Sequence, residues 1–448
     1  MNYTDTFLDN LERFSEKTIP EHVAVKVRQL ILDYLGVTIA GAASTKDKTS
    51  AILNAAIDIE GVSPLIGLNK TVNIEKALLI NGLNAHALDF DDGTNTGIIH
   101  LGSPIFTALL PLLRHKKIPV TEFLKAVVMG YETSFTMAIT IQPEHKERGY
   151  HATGTCGTIG VAMAIAYLLK FNKRQKKDGF SAAALAASGS LKALEDGSDY
   201  KPYNVAKAAL NGYYSSLLGY SGYRAPDDVL EGFQGFIKQM TGLDEVEIKA
   251  PLYLDTYAVE KAYIKPFAAC RYCHPAIGAM IDIKNEYKLI PADVQKIVVR
   301  TYKWAVKKHD HTEIMGITSA KMSIPYSAAV AFIYGKAGMR EFDNEIIQTQ
   351  EVRELTKKVE VYEDETMTAA FPKVTTALCE VYTKNGNCYT KQVDFPKGEP
   401  ENPLTEEEVE DKFRMLTRYA GMPEERIQQI IDICSDFEHR YMELFDVI

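Results

Sequence analysis

The chain has 448 residues, of which 46% are hydrophobic and 24% charged, and it carries a net charge of −9. That length and balance describe a globular protein of two or three domains with a sizeable core. The acidic balance argues against a nucleic-acid surface but leaves anionic substrates open, since a few local cations decide those.

In chain order, Met1–Phe14 reads as a short helix, and Pro20 opens a longer one with Val23, Val27, Leu30, Ile31 and Tyr34 at helical spacing. Met1–Glu16 lacks the basic start and apolar run of a signal peptide. Six cysteines are too few for a disulfide framework, which leads to the expectation of a cytoplasmic protein with reduced thiols. Ile74–Asp89 is again helical. Ser103 is expected to cap a helix with Pro104 at its first position, and Thr121 to cap the next, which runs to about Ile141. His151–Leu169 and Ser181–Leu194 are rich in Gly and Ala, as central, closely packed helices are; the apolar window Ile159–Leu169 is too short to span a bilayer. Lys201–Leu218 is a further helix.

Near residue 260 the texture changes. Gln295–Tyr302 and Lys358–Tyr362 read as strands, and Leu378–Tyr382 and Cys388–Val393 flank an Asn385-Gly386 hairpin turn. Pro275–Glu286 and Ser323–Gly335 are helical between them. From Thr405 the chain returns to helix. The predicted organisation is therefore mainly α: a helical domain from residues 1–262 and 403–448, with an α+β domain inserted at 263–402.

Several patterns carry chemistry. Asn81–Pro104 runs from an apolar helix through Asp89-Phe90-Asp91-Asp92 and a Gly/Thr/Asn loop to His100, which puts carboxylates and an imidazole on either side of a polar gap, as proton transfer requires. Its plain alternative is an acidic helix end. His151 stands at the mouth of a small-residue helix, and Lys201 in a loop before another. Cys270-Arg271-Tyr272-Cys273-His274 has the spacing of c-type haem attachment, but no export signal accompanies it, and no second Cys/His pair completes a zinc site. Lys265, Arg271 and His274 together suit binding a carboxylate and moving a proton. His309-Asp310-His311 is a weak metal candidate. The Gly154, Gly157 and Gly160 series lacks the strand and the Gly-x-Gly pair of a phosphate loop.

Asn81–Pro104, His151–Gly157, Lys201-Pro202 and Lys265-Pro266-Phe267 through His274-Pro275 occur in the order and spacing of one family, and the chain resembles MmgE/PrpD proteins along nearly its whole length. Activities in that family are 2-methylcitrate dehydratase, cis-aconitate decarboxylase and iminodisuccinate epimerase. The resemblance implies a helical domain from both chain ends, an α+β lid, a homodimer, and catalysis without metal or organic cofactor. It implies catalytic roles for Asp89, His100, His151, Lys201, His274 and Tyr326, and substrate binding by Thr94, Lys201 and Arg271. The chain departs from the decarboxylase-like pattern in three places. Gly93 stands where that pattern has threonine, the loop to His100 is one residue longer, and Asn204 replaces a histidine. The function expected is a cofactor-independent lyase for a small di- or tricarboxylate, by dehydration or decarboxylation. The alternatives are an epimerase of a small dicarboxylate such as iminodisuccinate, and a non-catalytic polycarboxylate-binding protein.

Overall fold

Apolar residues at helical spacing dominate the first part of the chain, and the computed structural model folds them as helices. It describes residues 2–116, 118–194, 198–244, 246–247 and 256–448. The chain divides into two units, Met1–Tyr263 with Glu406–Ile448, and Ile264–Thr405.

In the first unit, α1 (Tyr3–Ser15) starts where the Asn2 side chain accepts the Asp5 N–H, and it buries Phe7, Leu11 and Phe14 along one stripe. The helix α2 (Glu21–Ser44) begins after Pro20, which takes the extended cap position rather than the first turn, and it is buried without a break from Leu30 to Ala42. After α3 (Lys46–Ala55), a short antiparallel pair unanticipated from the sequence, β1 (Ser63–Leu65) and β2 (Lys70–Val72), turns through Gly67 at φ +80°. The helix α4 (Ile74–His86) ends three residues before the expected Asp89, and α5 spans Gly102–Lys116. Then follow α6 (Val120–Ile141), the short α7 (Glu144–Glu147), α8 (Ala152–Leu168), α9 (Lys173–Ala186) and α10 (Tyr203–Ser221).

Every residue of α8 is buried. Its small side chains let neighbouring helices approach: a Cβ on Gly160 would sit 1.7 Å from Ser134 Oγ on α6, and one on Gly212 of α10 would sit 2.5 Å from Val161. Glycine is needed at these crossings for space. The expected helix at Ser181–Leu194 stops at Ala186 and resumes only as a 3-10 turn at Leu191–Leu194. From the C-terminal segment, helix Glu406–Tyr419 packs on α2, where Lys412 pairs with buried Asp33 at 2.5 Å and donates to the Phe90 carbonyl at 2.8 Å.

The second unit holds a four-stranded sheet in the order β4-β3-β5-β6. Strand β3 (Val294–Thr301) runs parallel to β4 (Val359–Glu363) and antiparallel to β5 (Ala377–Thr383), which pairs with β6 (Cys388–Val393). Buried and half-buried residues alternate along β5, as a sheet with one face on the core requires. The β5–β6 turn places Gly386 at φ +87°, the left-handed geometry that an Asn-Gly hairpin needs. Helices His274–Tyr287 and Ile324–Tyr334 pack against each other and on the sheet. Among the described residues, no helix is long and apolar enough to cross a membrane.

Candidate active site

The loop between α4 and α5 is the centre of the candidate site. Asp89 takes φ +52°, a left-handed conformation costly for a residue with a side chain, and this turns the chain out of the helix. Lys412 holds the next carbonyl, Phe90, and its ammonium lies 4.3 Å from the Phe90 ring. The three acids then point to different partners.

Asp89 Oδ1 receives the Lys201 ammonium at 2.6 Å. Both side chains keep some exposure, 17% and 20%. His100 Nε2 lies 3.9 Å from the same oxygen. Asp91 is buried, with Oδ1 accepting from His86 Nδ1 at 2.7 Å and Oδ2 accepting from the Ser103 hydroxyl at 2.6 Å. His100 Nδ1 stands 3.3 Å from Asp91 Oδ2 and 2.8 Å from the Asp92 carbonyl. Burial pushes the Asp91 carboxyl up, but the His100 and His86 imidazoles more than offset this and hold it well below the usual carboxylate range. Asp92 goes the other way. Its carboxyl accepts the Gly102 N–H at 3.0 Å and the Tyr131 hydroxyl at 2.9 Å, yet burial, reinforced by the adjacent Asp91 charge, pushes it up to about 7.

Ser103 does not serve as the expected helix cap, because α5 begins at Gly102 and the serine hydroxyl is donated to Asp91. The first N–H of α5 meets Asp92 itself, so the protein's own acid occupies the helix start. Thr94 closes the loop: its hydroxyl accepts the Gly97 N–H at 3.1 Å, and its backbone pairs with Ile99. Gly93 pairs with Tyr263, and a Cβ there would lie 2.6 Å from Tyr263 Oη. A threonine at this position would collide with that ring, a packing reason for the departure from the decarboxylase-like pattern.

His151 caps the start of α8 through its backbone, and its buried Nδ1 has no hydrogen-bond partner among the described residues. The His86, His100 and His151 rings lie 4.5–6.5 Å apart, centroid to centroid. Burial lowers the His86 imidazole to about 4 and holds His151 well below its ordinary value, in the latter case with help from the Lys201 charge. Asp89, His100, His151 and Lys201, separated by up to 112 residues, thus converge in the first unit. His86 joins them although no role was assigned to it from the sequence, where a histidine near the end of an apolar helix carries no signal of its own.

His86, Asp89, Asp91 and His100 offer ligand atoms all within 4.8 Å of one another. His86 Nδ1 and both Asp91 oxygens are already matched as donors and acceptors, and the Lys201 ammonium sits on Asp89, where it would oppose a divalent cation.

The remaining expected site residues belong to the second unit. Arg271 donates through Nε and Nη2 to Glu399 and through Nη1 to His274 Nδ1 at 2.8 Å. His274 Nε2 in turn donates to the Ala269 carbonyl at 3.1 Å. The Tyr326 hydroxyl donates to the Glu341 carbonyl at 2.7 Å. Instead of presenting open polar groups, all three spend hydrogen bonds on their own unit. Cys270 Sγ lies 3.6 Å from His309 Nε2, and His311 Nε2 from the same loop meets the Ser319 carbonyl at 3.1 Å, so neither the Cys-x-x-Cys-His pattern nor the His-Asp-His pattern gathers a ligand set among the described residues.

Comparison with known proteins identifies the family. Residues 8–249 match the MmgE/PrpD N-terminal domain and residues 267–436 the MmgE/PrpD C-terminal domain. The cis-aconitate decarboxylase-like protein oryM of Aspergillus oryzae is 24% identical over 96% of this chain and 93% of its own. Cis-aconitate decarboxylase of Aspergillus terreus is 23% identical over 93% and 89%, and that of Mus musculus 23% over 92% and 86%. With both domain matches in sequence order, this chain belongs to the MmgE/PrpD family.

Proposed function

We propose that this chain is a lyase acting on a small di- or tricarboxylate by acid–base chemistry next to a carboxylate, without metal or organic cofactor. The observation that carries the reading is the convergence of His100, His151, Lys201 and Asp89, with the His100, Lys201 and Asp89 side chains keeping 12%, 20% and 17% exposure. Removing a proton α to a carboxylate needs a base near its working range, and the carbanion formed needs a nearby cation. His100 Nε2 and the His151 ring are the proton carriers in this proposal. Lys201 holds a substrate carboxylate, and Asp89 keeps its ammonium charged and aimed until that carboxylate arrives.

The relatives named as cis-aconitate decarboxylases favour a lyase over an epimerase. Gly93 and the longer loop lie next to Asp89, which favours a substrate that differs from theirs.

The test is incubation with 2-methylcitrate, citrate and cis-aconitate in D2O, followed by proton NMR. New olefinic signals report dehydration and itaconate reports decarboxylation. Deuterium exchange without a new product would replace the lyase by an epimerase, and no change in any mixture would refute the reading for these substrates. His100→Gln and His151→Gln should each lower turnover by about 10²–10⁴-fold with the melting temperature nearly unchanged. His274→Gln and Tyr326→Phe belong in the same series, because the family resemblance assigns them catalytic roles. The homodimer is a separate expectation, read by light scattering.

A further inference from the structure

His86 and Asp91 do more than end a helix. We propose that Asp91, clamped by His86 and Ser103, is the positioning residue that fixes the tautomer and orientation of His100, and that His86 acts through it.

A backbone carbonyl can only accept, so the 2.8 Å contact to the Asp92 carbonyl requires His100 Nδ1 to carry hydrogen. That hydrogen lies between the Asp92 carbonyl and Asp91 Oδ2, which leaves Nε2 as the nitrogen that exchanges a proton, on the side of Asp89 and Lys201. Asp91 can hold this arrangement only if its own rotamer is fixed. Two donors fix it: His86 Nδ1–H on Oδ1 and the Ser103 hydroxyl on Oδ2.

Every element around His100 supplies a titratable group: His86 from α4, Asp89, Asp91 and Asp92 from the loop, His151 from the start of α8, and Lys201 from the segment before α10. Of these, Asp91 is the carboxylate placed against the nitrogen that does not exchange. Such an outer partner sets which ring nitrogen of a histidine is available. Because His86 is neutral, it supplies a hydrogen-bond donor without adding a competing positive charge.

The kinetic part of the test rests on the lyase reading; the spectroscopic part does not. In protein labelled with ¹⁵N-histidine, with resonances assigned through His86→Gln and His100→Gln, both imidazoles should be Nδ1–H tautomers. A wild-type spectrum with His100 as the Nε2–H tautomer overturns the proposal. Asp91→Asn offers one acceptor oxygen where the carboxylate offered two, so it should move His100 to the other tautomer; an unchanged His100 tautomer in that variant overturns the proposal.

With a turned-over substrate, Asp91→Asn should lower kcat at least about tenfold with KM within about twofold, because the base is no longer held in its working tautomer. A rise in KM at constant kcat would assign Asp91 a merely structural role. Ser103→Ala removes one clamp and keeps the carboxylate, so it should preserve both tautomers and lower kcat by less than about fivefold. A chain that turns over no carboxylate yet shows the tautomer change would refute the proposed function and leave the positioning intact.

Discussion

Asp92 offers a quantitative test of how the site is built. Its carboxyl is buried beside the Asp91 charge and titrates at about 7 in the folded chain, against an ordinary value of 3.8. A carboxyl whose folded pKa is raised contributes stability that is fully present below pH 3.8 and is lost as the pH rises through about 7, because over that window the unfolded chain ionises while the buried acid keeps its proton. Each pH unit within that window is worth about 1.4 kcal/mol, so from pH 5 to pH 8 the wild-type chain should lose about 2–3 kcal/mol on this account. Asp92→Asn removes the ionisation and preserves the shape. The amide oxygen can accept the Gly102 N–H and the amide nitrogen can donate to Tyr131 Oη, which replaces the two contacts of the acid. The assay is urea unfolding of both proteins at pH 5, 6.5 and 8. The stability difference, variant minus wild type, should grow with pH by about 2–3 kcal/mol, with other groups cancelling in the subtraction. Turnover by the variant at pH 6 should stay within about threefold of wild type, because the wild-type acid is mostly neutral there. Parallel stability curves would refute the burial argument; a large loss of turnover at pH 6 would show that the site requires the Asp92 anion.

Glu132→Gln should behave similarly at a second place, because burial pushes the Glu132 carboxyl up to about 8 while its Oε1 accepts the Ala258 N–H, and the pH-dependent gain in urea stability should run from about pH 4.5 to 8. Lys412→Met should cost about 3–5 kcal/mol by leaving Asp33 as an uncompensated buried charge, and the double variant Asp33→Asn/Lys412→Met should recover most of it in the same unfolding assay. Gly93→Ala should cost about 1–3 kcal/mol, read as a lower urea midpoint, because its methyl would meet Tyr263 Oη and the Ile99 carbonyl. Dialysis against EDTA should leave turnover unchanged within about twofold, because the Lys201 ammonium held on Asp89 opposes a divalent cation there.

Sequence by itself determined the class of fold, the strands of the α+β part and the family. These rest on local signals: apolar spacing along α1 and α2, β-branched runs in β3, and an Asn-Gly turn whose geometry only a few residue types adopt. Element ends were less legible. The helix expected to reach Asp89 stops at His86, since the left-handed Asp89 is held by contacts from elsewhere, including Lys412 more than 300 residues away, which grips the next carbonyl. The β1–β2 pair escaped notice because three-residue strands carry too little pattern to register.

At the site, the family resemblance marked Asp89, His100, His151 and Lys201 as candidates, but only the tertiary structure decided what each acid does. Asp89, Asp91 and Asp92 stand within four residues of one another, and composition cannot tell them apart. Folding gives the first an ammonium, the second two imidazoles and a hydroxyl, and the third a helix N–H and a phenol. Charge state follows from partners and burial rather than from residue type, so one carboxyl falls below its ordinary range while its neighbour rises to about 7. For the same reason His86, silent in the sequence, became visible only when α4 brought it against Asp91.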